Sequence, residues 1–265
     1  MPGHPPEGGM GRAYHIDCAA GDIEPYILTC GDPARAERIA RFLDEAQIRG
    51  KRRDFLVISG RYHGIPTSVM ATGIGPSATA IAFVEAAQCM PSATFIRLGT
   101  CGALQEDIAL GDLVITEEAV RDENTTHSYA PPDLGARAHP AVFESLLEAA
   151  RELGMPHHRG LTCTTSDFYA GQGRYAPGFP TREPDKVDRM RRAGALNLEM
   201  EMSVHLTLAR CSSYALRAGG MCVAIANRLH DTFASPDLLA EYELRLITSG
   251  LRAVEILHRR DGARS

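Results

Sequence analysis

Apolar positions along this chain follow two alternating rhythms. Short runs dense in aliphatic and β-branched residues, at 26–30, 55–59, 67–71, 94–98, 112–116, 161–165 and 221–226, predict strands. Between them the spacing turns helical, over 34–43, 77–89, 141–153, 184–193, 203–211 and 235–259, with Pro236 near the first turn of the last. Such alternation argues for an α/β fold with a largely parallel central sheet, because parallel neighbours need crossover connections. Three strands run directly into glycine turns: Gly31-Asp32-Pro33, Thr72-Gly73-Ile74-Gly75-Pro76-Ser77 and Gly99-Thr100-Cys101-Gly102. Ligands of open α/β sheets bind at the carboxyl ends of strands, so these turns are candidates to share one pocket. Gly73-Ile74-Gly75 is not a dinucleotide fingerprint, since the third glycine is absent and no acidic residue ends a second strand about 20 residues on.

Composition narrows the classes. A chain of 265 residues, 44% hydrophobic and without a linker, predicts one domain over 12–265 behind a Pro- and Gly-rich leader, 1–11, expected to be disordered. The net charge of -5 leaves no basic excess for binding nucleic acid through its phosphates, so small substrates fit better. Seven scattered cysteines, most inside apolar runs and none in CxxC spacing, read as reduced core thiols of a cytoplasmic protein. The ten histidines include no HExxH, and no metal site is expected. No apolar run reaches about 18 residues and no secretory signal is apparent, so neither membrane insertion nor export is expected.

Four segments carry chemistry. In Gly31-Asp32-Pro33-Ala34-Arg35, Asp32 is a helix N-cap and Arg35 lies in the first turn, where free N–H groups favour an anion. Arg97, inside the apolar run Phe95-Ile96-Arg97-Leu98, must meet either an ion partner or a ligand. Glu199 and Glu201, two apart at a strand-to-helix transition, share a face; such a pair suits a glycosidase, a ribose diol or the cap of the helix that follows. In Asp167-Phe168-Tyr169-Ala170-Gly171-Gln172-Gly173-Arg174 an amide and a guanidinium stand behind two rings. That set matches uracil: N3–H gives to the Gln carbonyl, O2 accepts from its NH₂, and O4 accepts from the Arg. Cytosine would turn an amine donor toward the Arg.

Taken together and in order, these motifs, with Asn197-Leu198-Glu199-Met200-Glu201 and Asn227-Arg228, resemble the nucleoside phosphorylase family, in its uridine-cleaving branch, from about Tyr14 to the C-terminal helix. The resemblance implies a single-domain three-layer α/β sandwich around a mixed, partly barrel-like sheet. It implies a homodimer with shared active sites, or a hexamer made of dimers. The activity implied is reversible phosphorolysis of uridine, and of deoxyuridine as a related substrate, to uracil and ribose 1-phosphate in pyrimidine salvage. Inorganic phosphate is then a co-substrate and no cofactor is needed. Carried over by position, Gly31, Arg35, Arg97 and Thr100 bind phosphate, joined by Arg53 from the neighbouring subunit. His15 reaches across to that neighbour's ribose, which Thr100, Glu199, Met200 and Glu201 also hold. Phe168, Gln172 and Arg174 hold the base, with Ile225, Ala226 and Arg228 around it. Arg35, Arg97, Arg174 and Glu201 carry the catalysis.

Some positions depart from the family. Cys101 replaces a common Thr at the ribose–phosphate junction, and Ala78 falls where a cation-binding Ser is expected, which argues against a potassium site at the dimer interface. The acid that purine members use is replaced by Asn227-Arg228, which disfavours a purine nucleoside phosphorylase. A nucleosidase, using water, and a catalytically silent nucleoside-binding sensor are the other readings to weigh.

Overall fold

The computed structural model describes residues 7–8 and 11–263. The chain runs β1 (Glu7–Gly8), β2 (Arg12–Ala13), β3 (Tyr26–Cys30), α1 (Pro33–Ala40), β4 (Asp44–Arg52), β5 (Phe55–Tyr62), β6 (Ile65–Ala71), α2 (Pro76–Cys89), β7 (Ser92–Ala103), β8 (Leu113–Asp122), β9 (Ala136–Arg137) and α3 (Pro140–Glu152). It continues through β10 (His157–Thr165), α4 (Lys186–Arg192), β11 (Ala195–Glu199), α5 (Met202–Cys211), β12 (Ala215–Asn227), β13 (Thr232–Phe233) and α6 (Pro236–Gly262). The leader expected over 1–11 falls largely outside the described residues; within it, Glu7–Gly8 pairs antiparallel with Arg12–Ala13.

The period-two alternation of the strands decides the layering. Leu28, Ile96, Leu98, Met221 and Val223 face a core completed by α1, α3 and α6, whereas Ile27, Phe95, Cys222 and Ala224 face one completed by α2 and α5. Helices therefore cover both faces of one sheet, which gives the three layers expected.

The sheet itself is mixed, not largely parallel. Its order is β13-β12-β8-β10-β11-β7-β3-β6-β5-β4, and β12 also pairs with β7, closing β12, β8, β10, β11 and β7 into a five-stranded barrel. The strands β7 and β12 are parallel, as are β3 and β7, but β11 meets β7 and β12 meets β8 antiparallel. The meander β4-β5-β6 adds an antiparallel edge through short turns, which need no crossover. The first helix ends at Ala40, not Leu43, because the chain turns at Arg41 and Phe42 to enter β4.

Candidate active site

The carboxyl ends of β3, β6, β7, β10, β11 and β12 surround a cavity of about 230 Å³. Twelve residues singled out from the sequence line it: Gly31, Arg35, Arg97, Thr100, Phe168, Gln172, Arg174, Glu199, Met200, Glu201, Ile225 and Ala226. Two of the expected glycine turns meet, since a side chain on Gly31 would stand 3.3 Å from the Gly73 carbonyl oxygen, whereas Gly99–Gly102 is not a turn but the last part of β7, which borders the same cavity as strand. Ile225 reaches the cavity at a bulge, where the β12–β7 register shifts between Ala224 and Ala226.

At one end, β7 and β11 bring Arg97 between two carboxylates. Its Nε lies 3.0 Å from Glu199 and its Nη2 2.5 Å from Glu201, all three buried. Glu199 is saturated: it also accepts from the Thr164 hydroxyl at 2.5 Å and from the N–H groups of Glu201 and Met202 at 2.8 and 2.9 Å. The helix-capping reading is thus the one its hydrogen bonds follow, because they satisfy the first N–H groups of α5. Glu201 has one further partner, the Gly75 N–H at 2.6 Å, made possible by φ +92° at that glycine. Burial raises the Glu201 pKa although Arg97 opposes it, and the combined charge of Glu201 and Glu199 lifts the Arg97 pKa although burial opposes that.

Arg35 stands nearby, oriented by α1, whose N-cap Asp32 accepts from Ala34 and Arg35 N–H at 2.9 and 3.2 Å. Its guanidinium is held by Glu243 of α6 and by the Leu98 carbonyl at 3.3 Å; Arg38 shares Glu243. Thr100, half-buried on β7, completes this end, with the buried Cys101 beside it.

At the other end lies the loop after β10. Gln172 is buried, and its Nε2 donates to the Thr165 hydroxyl at 3.2 Å. That hydroxyl spends its own proton on the Asp167 carbonyl at 3.1 Å, so it can only accept from Gln172, and the amide orientation follows. The Gln172 carbonyl oxygen and its second N–H remain for a ligand. The Arg174 guanidinium lies over the Phe168 ring at 4.4 Å, and its buried Nε has no partner among the described residues. Burial lowers the Arg174 pKa. Burial, followed by the charge of Arg174, pushes the Arg228 pKa down to about 10.

Three expected residues lie outside the cavity wall. Arg228 stands behind the base loop, donating to the Gln172 backbone carbonyl at 3.0 Å. His15 and Arg53 do not line the cavity: His15 is held by Glu85 at 2.6 Å and meets the edge of Phe55, while Arg53 is exposed in the β4–β5 turn. The two are neighbours, since Arg52 donates to the Tyr14 carbonyl at 2.7 Å and covers the Tyr14 ring. Asn227 is turned into structure, its amide donating to Gln105 and Ile108 carbonyls at 3.3 and 3.2 Å. The sequence reading gave no role to Ile74, Leu198 and Phe233, which complete the wall. Ile74 and Phe233 are 76% and 56% exposed; an isoleucine between Gly73 and Gly75 was a signal for the first, and nothing in the local sequence marked the second.

Among the described residues no helix is long and apolar enough to cross a membrane, and all seven cysteines are free thiols. The phosphorylase superfamily model matches residues 25–258. The chain is similar to the uridine phosphorylase of Thermococcus kodakarensis, 41% identical over 95% of this chain and 89% of that one. The uridine phosphorylase of Escherichia coli is 33% identical over 87% and 92% of the two chains, and the guanosine phosphorylase of Halorubrum lacusprofundi 31% over 82% and 85%. The family resemblance read from the ordered motifs is therefore borne out, and the chain, an enzyme of the pentosyl-transferring kind, belongs to the phosphorylase superfamily.

Proposed function

We propose that this enzyme cleaves uridine with inorganic phosphate, reversibly, to uracil and α-ribose 1-phosphate, serving pyrimidine salvage in the cytoplasm. The base end of the cavity carries the reading. Gln172, its amide orientation set by Thr165, offers an acceptor and a donor, and Arg174 offers donors only, one of them unpartnered and buried. Uracil presents the complementary edge, and cytosine places a donor against the Arg. A purine gains nothing comparable, because the position at which purine members carry an acid holds Asn227, which is engaged with Gln105 and Ile108.

Phosphate attacks C1′ from the face opposite the base, with inversion and without a covalent intermediate. Arg35, Arg97, Thr100 and the Gly31 N–H hold it, Glu201 and Met200 hold the ribose, and Gln172 and Arg174 take up charge on the departing base. Within one chain Arg35, Arg38 and Arg97 already face Asp32, Glu199, Glu201 and Glu243. Three cations against four anions leave no surplus for a phosphate dianion, so additional positive charge is required. Arg53 of a neighbouring subunit supplies it in this reading, with His15 beside it on the same face, and the enzyme acts as a homodimer or a hexamer of dimers. Neither an organic cofactor nor a resident metal takes part, and Ala78, in place of a Ser, removes an oxygen ligand that interface potassium would use.

The test is a panel of nucleosides incubated with and without phosphate, with released base and sugar identified. Uracil and ribose 1-phosphate from uridine, only with phosphate, is the expected result. Cleavage without phosphate would make it a nucleosidase, binding without product a sensor, and preference for inosine or guanosine would reverse the base assignment.

A further inference from the structure

We propose that Lys186 is the positioning residue of the base loop: docked on Asp122, it sets the depth at which Gln172 meets the base. The inference rests on the uridine-cleaving reading. Lys186 opens α4 and is 3% exposed. Its Nζ lies 2.6 Å from Asp122 and 3.4 Å from Glu183. Lysine is almost never fully buried unless paired, and an apolar side chain in its place would avoid the desolvation of an ammonium. What the ion pair adds is a defined position.

The place of Asp122 explains what is being positioned. It closes β8, and its register partner on β10 is Thr165, the residue that holds the Gln172 amide. The ends of two neighbouring strands thus fasten the segment between them and α4 at two points, Thr165 to Gln172 and Asp122 to Lys186. Between these points the chain packs on itself. Gly173 has φ +62°, and a side chain there would stand 2.8 Å from the Glu183 carbonyl oxygen and 3.4 Å from Lys186 Cβ. The Thr181 hydroxyl donates to the Ala170 carbonyl at 3.2 Å. A displacement of Lys186 therefore reaches Gln172 through the close packing of Gly173 against Glu183 and Lys186. Core burial contributes little to holding this segment, since its rings Tyr169, Tyr175 and Phe179 are exposed.

The experiment compares wild type with K186M, which keeps the length and removes the charge, and with the reversed pair K186D/D122K. K186M should raise the KM for uridine at least tenfold, leave the KM for phosphate within twofold, and narrow the preference for uridine over cytidine. The reversed pair should recover part of that loss. In substrate-free protein, amide exchange of 168–182 should quicken in K186M while β7 and β12 keep their protection. An unchanged uridine KM, or equal losses for both substrates, overturns the proposal; so does unchanged exchange in the loop. Should K186M fail to fold, D122N reads the same fastening, and a uridine KM within twofold of wild type overturns it. Absence of phosphate-dependent uridine cleavage in wild type would instead sink the functional reading, and the exchange measurement would still decide whether Lys186 holds the loop.

Discussion

His205 makes the stability of this fold depend on acid in a way that can be calculated. It lies wholly buried on α5, behind the carboxylates that flank Arg97. Its Nδ1 is 3.1 Å from the Glu201 carbonyl oxygen, which can only accept, so Nδ1 carries the proton and Nε2 accepts from the Thr29 hydroxyl at 2.8 Å. A second proton would enter a site closed by the Phe83 ring and close to the Arg97 charge. Burial first, and Arg97 second, hold the pKa down to about 3 against an ordinary 6.5. The unfolded chain binds a proton near the ordinary value while the folded chain refuses one until about pH 3. Stability present above the higher value is therefore lost as pH falls through that window. At about 1.4 kcal/mol per pH unit the full loss is about 5 kcal/mol, of which about 3 kcal/mol falls between pH 7 and pH 4. Denaturant unfolding of wild type and His205→Gln across this range measures it, since Gln takes up no proton and the other groups titrate in both proteins. The stability advantage of wild type should shrink by about 3 kcal/mol from pH 7 to pH 4. A difference that stays level with pH would refute the argument, whatever its size at neutrality.

Three other outcomes are expected. Arg174→Ala removes a charged donor stacked on Phe168 and should raise the uridine KM roughly 10- to 100-fold in steady-state kinetics, with phosphate KM nearly unchanged; parallel losses would place Arg174 outside the base site. Cytidine should turn over about 10⁴-fold less efficiently than uridine in a direct comparison of kcat/KM, and a ratio within tenfold would contradict the Gln172 and Arg174 assignment. Glu199→Gln breaks a buried ion pair while Glu201 still holds Arg97, and should cost about 3 kcal/mol in denaturant unfolding. A cost below about 1 kcal/mol would show that the cap and the pair contribute little.

The strands that carry the core were legible because burial on both faces makes them apolar throughout. Tyr26–Cys30 matches its expected span, and the other six predicted runs fall on β5, β6, β7, β8, β10 and β12. The edge was not legible. Asp44–Arg52 is mostly polar and exposed, and it forms a strand only because β5 offers it hydrogen bonds. Missing that edge and the short β11 hid two antiparallel pairings, and the β5–β6 and β12–β8 pairings join strands that were legible but whose direction the apolar pattern does not encode, so the sheet read as largely parallel when it is mixed.

Residue types at the site were legible; their partners were not. An Arg inside an apolar strand and two Glu at a strand end each demand explanation, and each was found in the cavity wall. Whether such groups serve a ligand or one another depends on contacts made far along the chain. Arg35 in a first helical turn suggests an anion, and the carboxylate it meets in the free chain belongs to Glu243, 208 residues away. Arg97 is bracketed by two residues about a hundred positions distant, and Gly75 reaches Glu201 across 126. No local pattern encodes such distances, because they depend on which strands close the barrel. The base loop is different: Thr165, Asp167, Phe168, Gln172 and Arg174 lie within ten residues, so their mutual geometry is nearly local. That is why base recognition could be argued from sequence while the phosphate end required the fold. The same division locates the sharper test of mechanism, since the carboxylates around Arg35 and Arg97 must share those guanidiniums with any phosphate that binds.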